Sequence, residues 1–354
     1  MVYYRKYRPQ KISELDSPII SARLGKIISS GHIPHAFLFS GPKGTGKTST
    51  ARILAKVLNC EKLRTENSEP NTNFEPCNKC DNCVSITAGT NLDVMEIDAA
   101  SNRGIDEIRD LREKIRLAPS GGKFKVYIID EVHMLTTEAF NALLKTLEEP
   151  PPHAVFVLAT TEPDKLLPTI ISRCIRIDFK KASAEEIIHS MERIIKEEKI
   201  DINRDILNLI AASSDGSFRD GAKMLEQVVL EEADTLEKAE KVIGGGENSY
   251  RNLLMLMISG KTKEALIYLQ EMEKKGSNLK YTIESILNLL HTLLLSKSGI
   301  ESAEVNKSFE ILTLNEVKEL LRYFDKAYGE MRNSFIPSLP LELLIIEWGE
   351  KKKS

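Results

Sequence analysis

At 354 residues, with 42% hydrophobic and 29% charged, the chain is too long for one ordinary core and apolar enough to build two or three. Forty-nine Lys and Arg against 52 Asp and Glu leave a net charge of −3, which excludes a uniformly basic coat for nucleic acid. Contact with nucleic acid would have to come from a local patch or from several subunits acting together.

The chain opens on MVYYRKYRPQ, aromatic and basic, with no signal-peptide pattern. From residue 35 to residue 179, short apolar runs alternate with helical stretches. AFLFS, LDVMEID, KVYIID, AVFVLATT and CIRIDF read as strands, and TSTARILAKVLN and TEAFNALLKTLEE as helices between them. Such alternation predicts an α/β domain over 1–179, a parallel sheet with helices on both faces. After Phe179 the strand pattern stops. SAEEIIHSMERIIKEEKI opens on a capping box, Ser183 with Glu186, and two more helices are expected near Ile206–Ala212 and Phe218–Ala233. A small helical domain over 180–243 follows from this, and GGGE at Gly244 to Glu247 reads as a linker. The remainder, 247–354, alternates amphipathic helices with breaks at Gly260, Gly276, Gly299 and Pro337, a third and all-α domain. Its most apolar stretch, YTIESILNLLHTLLLSKSG, is broken by Glu284, Asn288, His291 and Lys297, so a core helix is expected rather than a membrane span. A cytoplasmic protein with reduced thiols is the consequence, and clustered cysteines then indicate metal before disulfide.

GPKGTGKT satisfies the phosphate-loop pattern G-x-x-x-x-G-K-[ST] at Gly41, Pro42, Lys43, Gly44, Thr45, Gly46, Lys47 and Thr48. Glycines let the backbone N–H groups curl toward phosphate, Lys47 supplies charge to the β and γ oxygens, and the Thr48 hydroxyl ligates Mg²⁺. The loop follows an apolar strand and opens a helix, the context that separates it from a chance glycine-rich turn. KVYIIDEVH ends a strand on two acids, where Asp130 can hold Mg²⁺ and Glu131 can polarise the attacking water. In isolation such a pair is often just two solvated acids; beside a phosphate loop, hydrolysis is the better reading.

Four of the five cysteines, Cys60, Cys77, Cys80 and Cys83, offer thiolates, three of them at CxxCxxC spacing, which suits a closed tetrahedral Zn²⁺ site in an insertion over about 60–90. Four protein ligands leave no open position for water, so the metal would be structural. Redox cysteines, an iron–sulfur cluster and inert thiols are the other readings of the same residues. Arg173 in LLPTIISRC and Arg219 in GSFRDG read, from spacing alone, as a surface arginine and a salt-bridging one.

Together YRKYRPQ, HAFLFSGPKGTGKTSTARILAKVLNC, PCNKCDNC, EIDAASN, FKVYIIDEVHMLTTEAFNALLKTLEEPP, VFVLATTEPDKLLPTIISRC and GSFRDG make the first 225 residues resemble the gamma/tau subunits of bacterial DNA polymerase III clamp loaders, which are AAA+ ATPases. The resemblance implies an AAA+ domain carrying a zinc module, a helical lid domain and a helical collar domain. It makes Arg173 an arginine finger for a neighbouring subunit's ATP, and Thr161, with Thr160 beside it, a sensor of the γ-phosphate. Arg219 becomes a second sensor reaching from the lid, and Arg8 and Pro9 lie near the adenine. It also implies partners: a sliding clamp, primed DNA bound without sequence preference, delta- and delta-prime-like subunits, and further copies of this chain. In NRGIDEIRDLREKIR, Arg103 is the best candidate for a DNA phosphate contact, against an ordinary solvated helix.

The chain departs from its relatives in places. ELDSPIISARL stands where many carry a Val-x-Gly-Gln-like segment, and the Cys60 to Cys77 interval is longer than in some. The long tail that tethers polymerase and helicase does not follow KKKS, whether by nature or by truncation. Two other functions compete with the clamp-loader reading: an ATP-binding scaffold that has lost hydrolysis, and another AAA+ machine on DNA such as a branch-migration motor or helicase loader. The intact phosphate loop opposes the first, the cysteine loop and SRC the second.

Overall fold

The computed structural model describes residues 2–65, 74–102, 104, 113–243, 247–274, 279–299, 309, 311–331 and 334–352. The chain divides into two compact units, Met1–Glu226 and Gln227–Ser354.

The first unit is built on five parallel strands, β1 (Ala36–Ser40), β2 (Val94–Asp98), β3 (Lys125–Asp130), β4 (Ala154–Thr160) and β5 (Ile175–Asp178), in the order β2-β3-β4-β1-β5. Its helices are α1 (Tyr3–Lys6), α2 (Pro18–Ser29), α3 (Lys47–Asn59), α4 (Glu61–Thr65), α5 (Asp81–Ala88), α6 (Thr137–Glu148), α7 (Pro168–Ile171), α8 (Ala184–Glu198), α9 (Arg204–Ser213) and the greater part of α10 (Phe218–Leu230), within which the unit ends. The central strands read as unbroken apolar runs because both faces of the sheet are covered. Phe37, Phe39, Val126, Ile128, Val155 and Val157 face α2 and α3, while Leu38, Tyr127, Ile129, Phe156 and Leu158 face α6. The register sets Ser40 beside both Thr160 and Asp178, and Asp98 beside Asp130. The polar ends of the strands therefore share one edge of the sheet, the edge where open α/β sheets place ligands.

Helix starts obey their local chemistry. Thr136 caps α6 through Ala139 N at 3.3 Å, and the Ser183–Glu186 capping box opens α8. Past α11 (Leu236–Ile243), the second unit packs α12 (Glu247–Ile258), α13 (Thr262–Lys274), α14 (Leu279–Lys297), α15 (Leu314–Met331) and α16 (Leu339–Lys351). Their shared core includes Leu253, Ile283, Leu290, Leu320, Phe324, Leu344 and Trp348. The apolar stretch of α14 thus buries one face in this core. Among the described residues no helix is long and apolar enough to cross a membrane.

Asp93, buried just before β2, ties down the turn that leads into β3. Its carboxylate accepts from the N–H groups of Ser120 at 2.7 Å, Gly121 at 2.8 Å and Gly122 at 2.7 Å. Burial opposes ionisation, but these three donors outweigh it and hold the carboxyl below its ordinary range. A depressed pKa gives stability that is present above the unfolded value of about 3.9 and is lost as pH falls through the folded one. Asp93→Asn, with one acceptor oxygen for three donors, should lower stability by about 2 kcal/mol at neutral pH. Urea midpoints for the two proteins should converge as pH falls below about 4; a constant difference across that range would contradict the assignment.

Candidate functional site

At the polar edge of the sheet, β1 runs out through residues 41–46 into the amino end of α3. Gly41 has φ +147°, and a Cβ there would lie 2.0 Å from the carbonyl oxygen of Phe179, the residue after β5. Gly44 has φ +79°, and its Cβ would lie 2.0 Å from Ser217 Oγ. Both positions combine a left-handed backbone with a close approach, so only glycine fits. Inside the loop, Lys47 Nζ donates to Gly41 O at 2.7 Å and Pro42 O at 2.8 Å, and Thr45 Oγ1 donates to Pro42 O at 2.9 Å. Burial pushes the Lys47 pKa down, while Glu131 and then Asp130 oppose it.

The end of β3 completes the inner wall. Thr48 Oγ1 donates to Asp130 Oδ2 at 2.7 Å, and Glu131 N donates to Asp130 Oδ1 at 3.0 Å. Glu131 itself is left-handed, φ +48° and ψ +44°, a conformation that costs a non-glycine residue about 1–2 kcal/mol. Thr161 offsets that cost by donating to Glu131 Oε2 from its hydroxyl at 3.0 Å and its N–H at 3.3 Å. His133, almost fully buried, lies behind the acid: Nδ1 is 3.0 Å from Thr160 Oγ1 and 3.5 Å from Glu131 Oε2, and Nε2 is 3.3 Å from Glu162 Oε1.

The opposite wall comes from the helical domain and the amino-terminal segment. Phe218 N donates to Gly44 O at 3.1 Å, which docks the start of α10 on the loop. Arg193 of α8 holds Asp16 with two bonds, 3.0 and 3.1 Å, and donates to Glu14 O at 2.9 Å. Arg219 and Lys223 lie over the Tyr4 ring at 5.7 and 5.6 Å. Between the walls is a solvent-open cleft of ≈ 1050 Å³ lined by Arg8, Pro9, Lys47, Thr48, Asp130, Glu131 and Arg219. Ile20, Ile194 and Ala222 give it an apolar patch. Phosphate donors at one side and apolar surface at the other are what a nucleoside triphosphate needs.

At the far end of α3, the sulfur atoms of Cys60, Cys77, Cys80 and Cys83 all lie within 4.8 Å of one another, Cys77 and Cys83 at 3.9 Å. Four thiolates about 2.3 Å from one ion would be about 3.8 Å apart, so the set fits a tetrahedral metal. Backbone N–H groups already point at sulfur: Lys79 and Cys80 N donate to Cys77 Sγ at 3.4 and 3.3 Å, and Cys77 N to Cys60 Sγ at 3.4 Å. Burial pushes the Cys80 and Cys83 thiols up, whereas at Cys77 the Lys79 and Cys80 N–H donors outweigh burial and bring the thiol down.

Comparison with known proteins decides the family. Residues 17–183 match the family described as DNA polymerase III, delta subunit, and residues 186–230 the DNA polymerase III clamp loader subunit, ATPase lid domain. DNA polymerase III subunit gamma of Buchnera aphidicola is 37% identical over 83% of this chain and 78% of that protein. The chain belongs to the gamma/tau clamp-loader subunits of DNA polymerase III. DNA polymerase III subunit tau of Bacillus subtilis is 39% identical over 97% of this chain, and its Escherichia coli counterpart 39% over 82%. This clamp-loader chain spans only 62% and 45% of those two relatives' lengths. A RuvB chain of Thermotoga maritima superposes with a TM-score of 0.50 at 17% identity, covering 77% of this chain and 86% of that one, which shows a shared fold.

In this clamp-loader subunit the cleft gathers Arg8, Pro9, Lys43 to Thr48, Asp130, Glu131 and Arg219, with Gly41 and Pro42 forming the base of the loop. Leu15, Asp16, Ser17 and Ile20 of the ELDSPIISARL segment line it too. Thr161 reaches the site through Glu131. Arg173 does not line this cleft: it pairs with Glu148 at 2.7 Å and donates to Thr169 O at 2.7 Å, one-third exposed. Arg103 lies outside the described residues. Spacing gave no reason to single out His133, although DEVH contains it, nor the Asp16–Arg193 pair, whose members are 177 residues apart. Gly44→Ala should cost about 2 kcal/mol, from a forced left-handed alanine and the clash with Ser217. Adding Ser217→Ala should recover part of the lost Tm; recovery of all of it would show that the backbone conformation is unstrained.

Proposed function

We propose that this chain is the ATPase motor subunit of a DNA polymerase III clamp loader, acting in the cytoplasm to place a sliding clamp on primed DNA. The observation that carries the reading is the Thr48–Asp130 hydrogen bond at the mouth of the phosphate loop, with Glu131 one residue on. A hydroxyl and a carboxylate that meet at 2.7 Å beside Lys47 are the pair that would hold Mg²⁺ beside a bound nucleotide. That ion would neutralise charge on the phosphates.

The chain's own groups would divide the rest of the work. Loop N–H groups and Lys47 hold the phosphates, and Glu131 orients the attacking water and takes its proton. Thr161, already bonded to Glu131, is suited to report the γ-phosphate, and Arg219 to bring the lid onto the nucleotide. Arg8 and Pro9 wall the adenine side. Arg173, set apart from its own cleft, is free in position to act as a finger in a neighbour's site, where such groups contribute about 10³–10⁵ in rate. The AAA+ domain would span 1–179, the lid 180–243 and a collar 247–354 that joins copies of this chain to delta- and delta-prime-like subunits. Arg103 would touch DNA phosphate, a sequence-independent and salt-sensitive contact. Cys60, Cys77, Cys80 and Cys83 would hold a structural Zn²⁺, since four thiolates leave no site for water.

Glu131→Gln should still bind ATP, hold the clamp, and lose at least about 100-fold in turnover in the reconstituted assembly. Unchanged hydrolysis would remove Glu131 from its role. Metal analysis should find zinc near one per chain, displaced stoichiometrically by a thiol-reactive mercurial; iron, or no metal, would contradict the zinc assignment.

A further inference from the structure

The cysteine cluster and the nucleotide cleft lie at opposite ends of α3, about 20 Å apart for a 13-residue helix. They are nevertheless joined by one continuous run of hydrogen bonds. Lys56, on the last turns of α3 and 1% exposed, donates to Gln10 Oε1 and, at 3.0 Å, to Asn78 Oδ1. Asn78 stands between Cys77 and Cys80 in a left-handed conformation, φ +55°, and its amide accepts from Lys56 and donates to Gln10 O at 3.4 Å. Gln10 in turn donates from Nε2 to Arg8 O at 2.9 Å, and Arg8 lines the cleft. Thr87, on α5 with Cys83, places its hydroxyl 2.9 Å from Cys83 O and 3.3 Å from the same Gln10 oxygen.

A second strut runs beside the first. Glu75, two residues before Cys77, accepts from Ile12 N and Ser13 N, both at 2.8 Å. It thereby fixes the start of the turn that follows Gln10. Below both struts, Ile12, Ile53 and Val57 pack with Phe74 in a small apolar cluster. A buried ammonium costs several kcal/mol unless its acceptors are fixed. Gln10 and Asn78 supply the hydrogen-bond acceptors of this buried ammonium.

We propose, on the reading of this cleft as a nucleotide site, that the four-cysteine module is a positioning element of that site: when metal is bound, Asn78, Lys56, Glu75 and Gln10 hold the Arg8–Pro9 wall in its nucleotide-binding place. Metal bound at one end of α3 then raises nucleotide affinity at the other without touching the nucleotide. Gln10 and Glu75 are positioning residues, not ligands of either group. The insertion therefore does more than staple its own loop.

The test is calorimetric titration of ATP into the whole chain, metal-loaded or stripped by a chelator under reducing conditions, in wild type, Gln10→Ala and Glu75→Gln. Stripping wild type should weaken ATP binding about tenfold, the scale of one well-placed hydrogen bond to a charged group. Each variant, with its metal content still at the wild-type level, should show a similar loss, and stripping it should add less than about twofold, since coupled changes are not additive. Glu75→Gln is isosteric and leaves Lys56 paired, so it keeps the test open if Gln10→Ala fails to fold. Unchanged affinity on stripping wild type, or the same loss on stripping wild type and variants alike, would overturn the proposal. A metal-loaded wild-type chain that binds no ATP would overturn the nucleotide reading itself.

Discussion

The structure is organised around how closely other parts of the chain approach the phosphate loop. Gly41 meets the backbone leaving β5, and Gly44 meets Ser217, just before the lid helix, each so tightly that a single added carbon would collide at 2.0 Å. A loop that must present its N–H groups to an anion cannot carry bulk there, and the fold uses the freed space for contacts. The fifth strand and the lid are thus registered against the loop that lines the cleft. Any change in the loop is felt at once by the sheet edge and by α10.

The forces that hold the outer wall differ greatly in weight. Lys6–Glu198 is an exposed pair, 47% and 24% accessible, and such pairs contribute little in water. Asp16, 4% accessible, is gripped by both Arg193 nitrogens, and losing one partner of such a pair strands the other with its desolvation unrelieved. The Asp16–Arg193 clasp, not the more numerous surface pairs, therefore sets where α8 sits against the amino-terminal segment. Because Asp16, Arg8 and Pro9 share that segment, the position of the lid and the shape of the cleft are one mechanical quantity.

Much of this was legible in the sequence. The central strands stand out because buried parallel strands are unbroken apolar runs, and the helices between them because their apolar residues recur at helical spacing. The phosphate loop, the acidic pair and the cysteine cluster are local patterns with local chemistry, so their residues could be named by spacing alone. Other features escape such a reading. Lys56 in TSTARILAKVLN looks like a solvent-facing lysine, yet it is buried because Gln10 and Asn78 arrive from elsewhere with acceptors. Asp16 and Arg193 meet only in three dimensions, and the left-handed Glu131 follows from strand-end geometry rather than from residue type. The role offered for Arg173 came from family resemblance, since a group that works on another subunit leaves no trace in its own chain's contacts.

The central claim is that the cleft is an ATP site completed by a neighbour. It is tested most directly by measuring ATP turnover per chain as Arg173→Ala subunits are mixed into assembled wild-type complexes on primed DNA. Shared sites predict that turnover falls faster than the wild-type fraction while ATP affinity stays unchanged, because each altered subunit disables the site beside it as the assembly cycles. Turnover falling in simple proportion, or loss of ATP binding by the altered chain itself, would mean that Arg173 serves its own subunit and that the site is not shared.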